Sequence, residues 1–258
     1  SKAERLGQEL IVRTNTMLRQ SQLPPLSRTH CDIIGGEGSG PTTALCRLVA
    51  DHPDEQGANV LVREQSSAIS HMSVGISLSI AASVRPLQHI TSFLVPKSIV
   101  SQRVWLDGEP LDPAPVTDAK GHEADAPAPA MPAPPSDADP QMTVSLIRLA
   151  WARSGDKGNL FNVAVIAREP EYLPYIAAAL TPEAVGAHYG AALAHGAALK
   201  VDRFSVPGLS ALNYVVRDSM DGGILASTSI DAVAKGRAQM LLDYPVPVSA
   251  ALRLKLDG

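Results

Sequence analysis

The sequence predicts an α+β protein of two α/β parts joined by a disordered Pro/Ala-rich linker, the second part being a ββαβββα layer with a largely antiparallel sheet. Three observations carry this. First, Asp107 to Pro140 holds nine of the 21 prolines and eight Asp/Glu against the single Lys120. Such a stretch buries too little apolar area to offset chain entropy, and proline drives it toward extended polyproline II. Second, the segment after it alternates short apolar strands with helices opened by proline. Third, of ten aromatic residues only Phe93 and Trp105 precede the linker. The resulting boundaries are 1–106, a linker over 107–141 with a reach of roughly 30 Å or more, and 142–258.

In the front part, Glu4 to Gln20 reads as an amphipathic helix with Leu6, Leu10, Met17 and Leu18 near one face, ended by Pro24-Pro25. Thr29–Ile34 is a short strand running into the cluster Gly35-Gly36-Glu37-Gly38-Ser39-Gly40. Ala44–Val49 is a second apolar stretch, strand or helix. His52-Pro53-Asp54 introduces a helix continuing toward Ala81, and Phe93–Pro96 is a strand. With so few aromatics the front part has thin core material, so other polypeptide is expected to complete it.

In the rear part, Thr143–Ala152 and Leu160–Ala167 read as strands flanking the polar turn Arg153-Ser154-Gly155-Asp156-Lys157-Gly158-Asn159. Pro170 opens a helix toward Leu180, and Pro182 opens another toward Ala198. Val201–Val206 and Ala211–Arg217 are strands around Pro207-Gly208. Gly222-Gly223 precedes a strand over Ile224–Ile230, and Asp231 caps a last helix ending near Leu242.

Composition excludes several classes. A net charge of −4 and a 45% hydrophobic content give no electrostatic footprint for nucleic acid, and no apolar run is long enough for a membrane span. The acidic balance sits in the linker, which leaves the two flanking parts mildly basic and favours an anionic ligand. Cys31 and Cys46 are too few for a disulfide scaffold and fit a reducing cytoplasm; both are expected as small core residues. The seven histidines (His30, His52, His71, His89, His122, His188, His195) form no compact ligand set, so no metal site is expected. Ser1 in place of methionine at the start suggests trimming or a fragment, and Ser1–Leu10 is a charged helix former rather than a signal peptide.

The residues worth weighing as a site lie mainly in the rear part. Arg153 to Asn159 offers two cations and exposed backbone donors, a cradle for phosphate or carboxylate in which Arg153 and Lys157 are the leading contacts. Ser154, Gly155, Gly158 and Asn159 would complete it. Asp156 would orient Lys157 or act as a general base. The competing reading is a plain hairpin turn, with Gly for geometry and Asp and Asn for side-chain turns. Asn213, polar among apolar strand neighbours, orients a substrate carbonyl or makes a structural hydrogen bond. Asp221-Gly222-Gly223 is first a tight turn and second part of a site. The Gly35–Gly40 cluster fails the spacing of both nucleotide fingerprints, and Glu37 would repel phosphate. Ser154 lies in no GxSxG elbow.

RSGDKGN between a strand and NVAVIAR, then DRFSVPGLSALNYVVRD and DGGILAS, resembles the C-terminal domain of the acyclic terpene utilisation (AtuA-like) family. LPPLSRTHCDIIGGEGSG, VADHPDE and SVRPLQHITSFLVPKS are similar to the closing portion of that family's large N-terminal domain. The resemblance implies a ferredoxin-like fold for the C-terminal domain. It also implies a place in the breakdown of citronellol and geraniol through branched acyl-CoA esters. The chain departs from the family in two ways. The long N-terminal region is absent, and Ser83-Val84 precedes Arg85-Pro86 where the family tends to have a glycine pair.

The function expected from the resemblance and the basic loop is a component of acyclic terpene or branched acyl-CoA catabolism, as a hydratase, lyase or isomerase. An acyl-CoA would be the substrate, with no further cofactor. The alternative is a non-catalytic assembly subunit. A homo- or hetero-oligomer is expected, with a partner polypeptide supplying the missing N-terminal region, and with neither nucleic acid nor membrane as partner.

Overall fold

The computed structural model describes residues 1–36, 43–77, 82–91, 93–111, 129–193 and 197–258, with Ile69 described by its backbone only. Glu37 to Gly40 of the glycine cluster, the linker from 112 to 128 with Lys120 and His122, and His195 lie outside the described residues. The chain packs as two compact units, Ser1–Gln88 and His89–Gly258.

The first unit begins with α1, Lys2–Gln20. A capping box starts it: Ser1 Oγ accepts from the Glu4 backbone while the Glu4 carboxylate reaches back to the Ser1 amine. Its inward stripe is Gly7, Leu10, Thr14 and Leu18. β1 (Arg28–Gly35) and β2 (Ala44–Asp51) form an antiparallel pair in register from Arg28↔Asp51 to Gly35↔Ala44. α2 (Glu55–His71) is tied to α1 by the Arg13–Glu64 ion pair at 3.1 Å. Among the described residues, the buried apolar side chains of this unit are Leu10, Leu18, Val60 and Ala68, a small core for its length.

The second unit holds the larger core. A two-residue turn, Asp107-Gly108 with both at positive φ, joins β3 (Val104–Leu106) to β4 (Glu109–Leu111) in a fully exposed hairpin. β5 (Asp139–Ser145) pairs with β10 (Pro245–Val248). The principal sheet has the order β6-β7-β9-β8, all antiparallel: β6 Ala150–Asp156, β7 Phe161–Ala167, β8 Val201–Val206 and β9 Ala211–Val216. Helices α3 (Leu173–Ala179), α4 (Pro182–Ala192), α5 (Arg237–Leu242) and α6 (Ala250–Asp257) complete the unit.

Strict alternation divides the sheet into two faces. Phe161, Val163, Val165, Leu212, Tyr214 and Val216 are buried in one core with Ile176, Val185, Tyr189 and Leu241. Each buried phenol donates to a carbonyl: Tyr189 to Arg237 O at 2.9 Å and Tyr214 to Leu180 O at 2.8 Å. α4 approaches the returning chain so closely that a Cβ at Gly186 would overlap Leu199 O, and one at Gly190 would overlap Ala197 O. The opposite face carries Trp151, Arg153, Asn162, Ala164, Asn213 and Phe204 and is partly or fully exposed.

Several expectations are corrected. Thr143–Ala152 is not one strand. Leu146 and Leu149 are both buried, a three-residue spacing that a strand cannot provide. One 3-10 turn over Leu146–Arg148 therefore separates β5 from β6. Ile224–Ile230 is not a strand, so the order in the main sheet is ββααββα rather than ββαβββα. The Asp221 carboxylate accepts from Thr228 N and Oγ1 at 2.9 Å each, and Gly223 O accepts from Ala226 and Ser227, so turns satisfy the backbone there. Phe93–Pro96 is extended without a ladder, and Phe93 and Leu94 are exposed. α4 stops at Ala192 because the chain folds back, with Leu199 N donating to Gly186 O. The helix leading toward Ala81 ends at His71. β10 and α6 were not anticipated. Asp231 does not cap the last helix: its carboxylate accepts from Lys235 N and Gly236 N in the preceding loop, and α5 begins at Arg237 with Gly236 as its N-cap.

Candidate functional site

The residues singled out in the rear part gather at the end of the principal sheet where β6 turns into β7. β6 continues through Asp156, because its ladder with β7 runs unbroken: Arg153 pairs with Ala164, Gly155 with Asn162 and Asp156 with Phe161. The Arg153–Asp156 segment is thus strand rather than turn. The turn itself is Lys157 to Leu160, closed by Lys157 N donating to Leu160 O at 2.7 Å, with Gly158 at φ +70°.

Strand alternation sends Ser154 to the buried side. Its Oγ accepts from Ala238 N at 2.8 Å and donates to Lys235 O at 3.4 Å, which makes it a tie between β6 and the start of α5. Asn159 works in the same way. Its Oδ1 accepts from Gly222 N at 3.0 Å, its Nδ2 donates to Asp218, and its carbonyl accepts from Ser219 N. The Asp221-Gly222-Gly223 turn is thereby brought against the hairpin, and a Cβ at Gly223 would stand 3.3 Å from Gly158 O. Both glycines have φ near +90°, a conformation that disfavours any side chain. His89 Nδ1 lies 3.8 Å from where a Cβ on Gly222 would be, so an imidazole borders this turn.

On the exposed face the cations converge. A Cβ on Gly155 would stand 2.8 Å from Lys235 Nζ and 3.9 Å from Lys157 Nζ, so two ammonium groups hang over one glycine. Lys157 Nζ donates to the Asp156 carbonyl at 3.0 Å, not to its carboxylate, so Asp156 does not orient Lys157 through its side chain. Among the described residues, neither amine nor the Arg153 guanidinium has a carboxylate partner. Two like charges held this close repel, and an anion between them turns that repulsion into attraction.

The Lys235 backbone is fixed by its neighbours. The Asp231 carboxylate accepts from Lys235 N and Gly236 N, and Asp156 N donates to Val233 O. Arg237, buried behind this loop, donates to Ser229 Oγ at 2.9 Å and stands over the Phe161 ring. Burial, first, pulls the basicity of its guanidinium down; Asp231, with a carboxylate oxygen 3.9 Å from Nε, and Tyr189 oppose that.

Asn213 sits two strands from Arg153 on the same face, with Ala164 between them. Asn162 Nδ2 donates to its Oδ1 at 3.1 Å, a side-chain hydrogen bond across the two strands. Lys235, Asp231, Arg237 and Asn162 were missed in the sequence. The signal available was a second Lys-Gly step, Lys235-Gly236, echoing Lys157-Gly158. No group of three or more His, Cys, Asp or Glu placed to hold a metal ion occurs among the described residues, and no described helix is long and apolar enough to cross a membrane.

A four-stranded antiparallel sheet with helices on one face and a polar, glycine-rich end defines an α+β domain of the ferredoxin-like class. Residues 144–247 match the family model for the AtuA ferredoxin-like domain, which covers the sheet, α3 to α5 and the whole of the site just described. That segment of the chain is similar to the AtuA ferredoxin-like domain. No curated protein and no solved structure matches the chain.

Proposed function

We propose that the chain is a component of acyclic terpene (citronellol- or geraniol-type) or branched acyl-CoA catabolism, and that the β6–β7 corner holds the anionic part of an acyl-CoA. The observation that carries this reading is the pair of ammonium groups, Lys157 and Lys235, that cover the buried backbone of Gly155. Phosphate groups of coenzyme A supply the charge such a pair calls for, and Arg153 on the same face adds a forked donor suited to phosphate. The backbone of Gly158 and the Gly222-Gly223 turn border the same corner.

The thioester end would then lie across the exposed sheet face. There Asn213 Nδ2 is the donor for a carbonyl oxygen. Asp156 alternates to the side of Ser154 at the very end of β6; its carboxylate, with no partner among the described residues, is the proton acceptor for hydratase, lyase or isomerase chemistry at the strand end. Ser154 and Asn159 act as positioning residues. The first unit is read as the closing portion of the family's large N-terminal domain.

The test is equilibrium binding of coenzyme A and of a branched enoyl-CoA to the wild type and to a Lys157→Ala, Lys235→Ala double variant. The expected result is at least about a tenfold loss of affinity, steepened at low salt. Equal affinity in a folded double variant would overturn the site. Asp156→Asn should spare binding and remove turnover. A second reading, a non-catalytic assembly subunit within a homo- or hetero-oligomer, is favoured by the exposed Phe93, Leu94, Trp105 and Leu106 of the second unit. Binding of acyl-CoA with no turnover under any condition would select it.

A further inference from the structure

We propose that Cys31 and Cys46 form a reversible dithiol–disulfide pair that clips β1 to β2 beneath α1. The two thiols come from different strands and are offset by one diagonal step, since Cys31 pairs with Leu48 and Ile33 with Cys46. Their sulfurs nonetheless stand 3.6 Å apart, on the same side of the hairpin. A disulfide needs about 2.05 Å, so closure asks the two sulfurs to approach by about 1.5 Å.

The helix above is shaped for the pair. Gly7 of α1 presents no side chain to it: a Cβ there would stand 2.5 Å from Cys31 Sγ and 3.0 Å from Cys46 Sγ. Both cysteines are half-buried rather than core residues, so a small reagent reaches them. Burial, then the hydrogen bond and charge of Cys31, push the Cys46 thiol up to about 11. Cys46 therefore serves better as the second, resolving sulfur than as the first attacker.

The chemistry balances with a low-molecular-weight disulfide as oxidant. One protein thiol, as thiolate, attacks it and releases one small thiol, leaving a mixed disulfide. The other protein thiol then attacks that bond and releases the second small thiol. Two electrons and two protons pass from the protein to the oxidant.

The full chain is treated with oxidised glutathione and digested with trypsin without reduction. Arg28 and Arg47 bracket a peptide of residues 29–47 that holds both cysteines and no other cleavage site. Its mass should fall by about 2 Da without a glutathione adduct, and dithiothreitol should restore it. A Cys46→Ser variant should instead stop at the mixed disulfide, with adduct about tenfold or more above wild type. Persistent adducts on the wild-type peptide, unreacted thiols, or a disulfide between two chains would each overturn the proposal. The wild-type mass decides the matter even where the variant fails to fold.

Discussion

Arg153 and Ser154 show how one strand can give neighbouring residues opposite roles. Ser154 points inward, and its hydroxyl satisfies Ala238 N while donating to Lys235 O. Ser154→Ala strips a buried donor and acceptor of their partner and is expected to cost about 1–3 kcal/mol in a urea titration. Arg153→Ala and Lys157→Ala remove exposed cations and are expected to stay within about 0.5 kcal/mol of wild type. If instead Ser154→Ala proves neutral while Arg153→Ala unfolds the domain, the face assignment is wrong. Arg153 and Lys157 were legible as cations beside glycines. Ser154 was misread as a ligand contact because Arg-Ser-Gly-Asp has the composition of a turn, although it continues a strand. Lys235 was invisible because only the tertiary fold brings it over Gly155.

At the scale of elements, the loop from Asp218 to Gly236 carries the clearest departure from the sequence reading. Ile224, Leu225 and Ile230 have the composition of a strand, yet all three are exposed, and Asp221 closes the loop by holding Thr228. β-propensity lost to a side-chain acceptor that captured the backbone first. Asp221→Ala should therefore raise hydrogen exchange at the Thr228 amide by an order of magnitude or more, while β9 stays protected. Unchanged protection would show that the turn does not depend on that carboxylate. One helix boundary was better served by a local signal: Pro182 at the first turn of α4 acts as read, whereas Asp231 holds the loop ahead of α5 rather than capping the helix. The stop of α4 was not legible. It depends on Gly186 and Gly190 lying against carbonyls of a segment further along the chain. Gly186→Ala is expected to lower the melting temperature by several degrees, as overpacking costs about 1–3 kcal/mol.

At the scale of the whole molecule the two units differ in what holds them. The second has a continuous core around Phe161, Tyr189 and Tyr214, and the first has little beyond Leu10, Leu18 and Val60. Heating should give two transitions, the first unit melting before the second, and one cooperative transition would contradict the division. Alkaline pH acts on both. Burial raises both tyrosine pKa values well above their ordinary value of 10.0, and Cys46 moves from 9.0 to about 11. A raised folded-state pKa means stability that is complete below the unfolded value and lost as pH climbs toward the folded one. The first unit should thus weaken from about pH 9 and the second above about pH 10, with Cys46→Ala flattening the first decline. The thin front core was legible in the scarcity of aromatics; the pairing of its two cysteines was not, because it arises from a diagonal contact across a hairpin.

The central claim is that the β6–β7 corner, with Lys235 swung over Gly155, is where this domain holds an anion. The most direct measurement is the change in backbone amide chemical shifts as coenzyme A is added to the isotopically labelled chain. The account predicts shifts concentrated in 153–159, 221–223 and 231–237, saturating together, and abolished by the Lys157→Ala, Lys235→Ala double variant. Shifts centred on any other surface, or a double variant that responds like wild type, would contradict it.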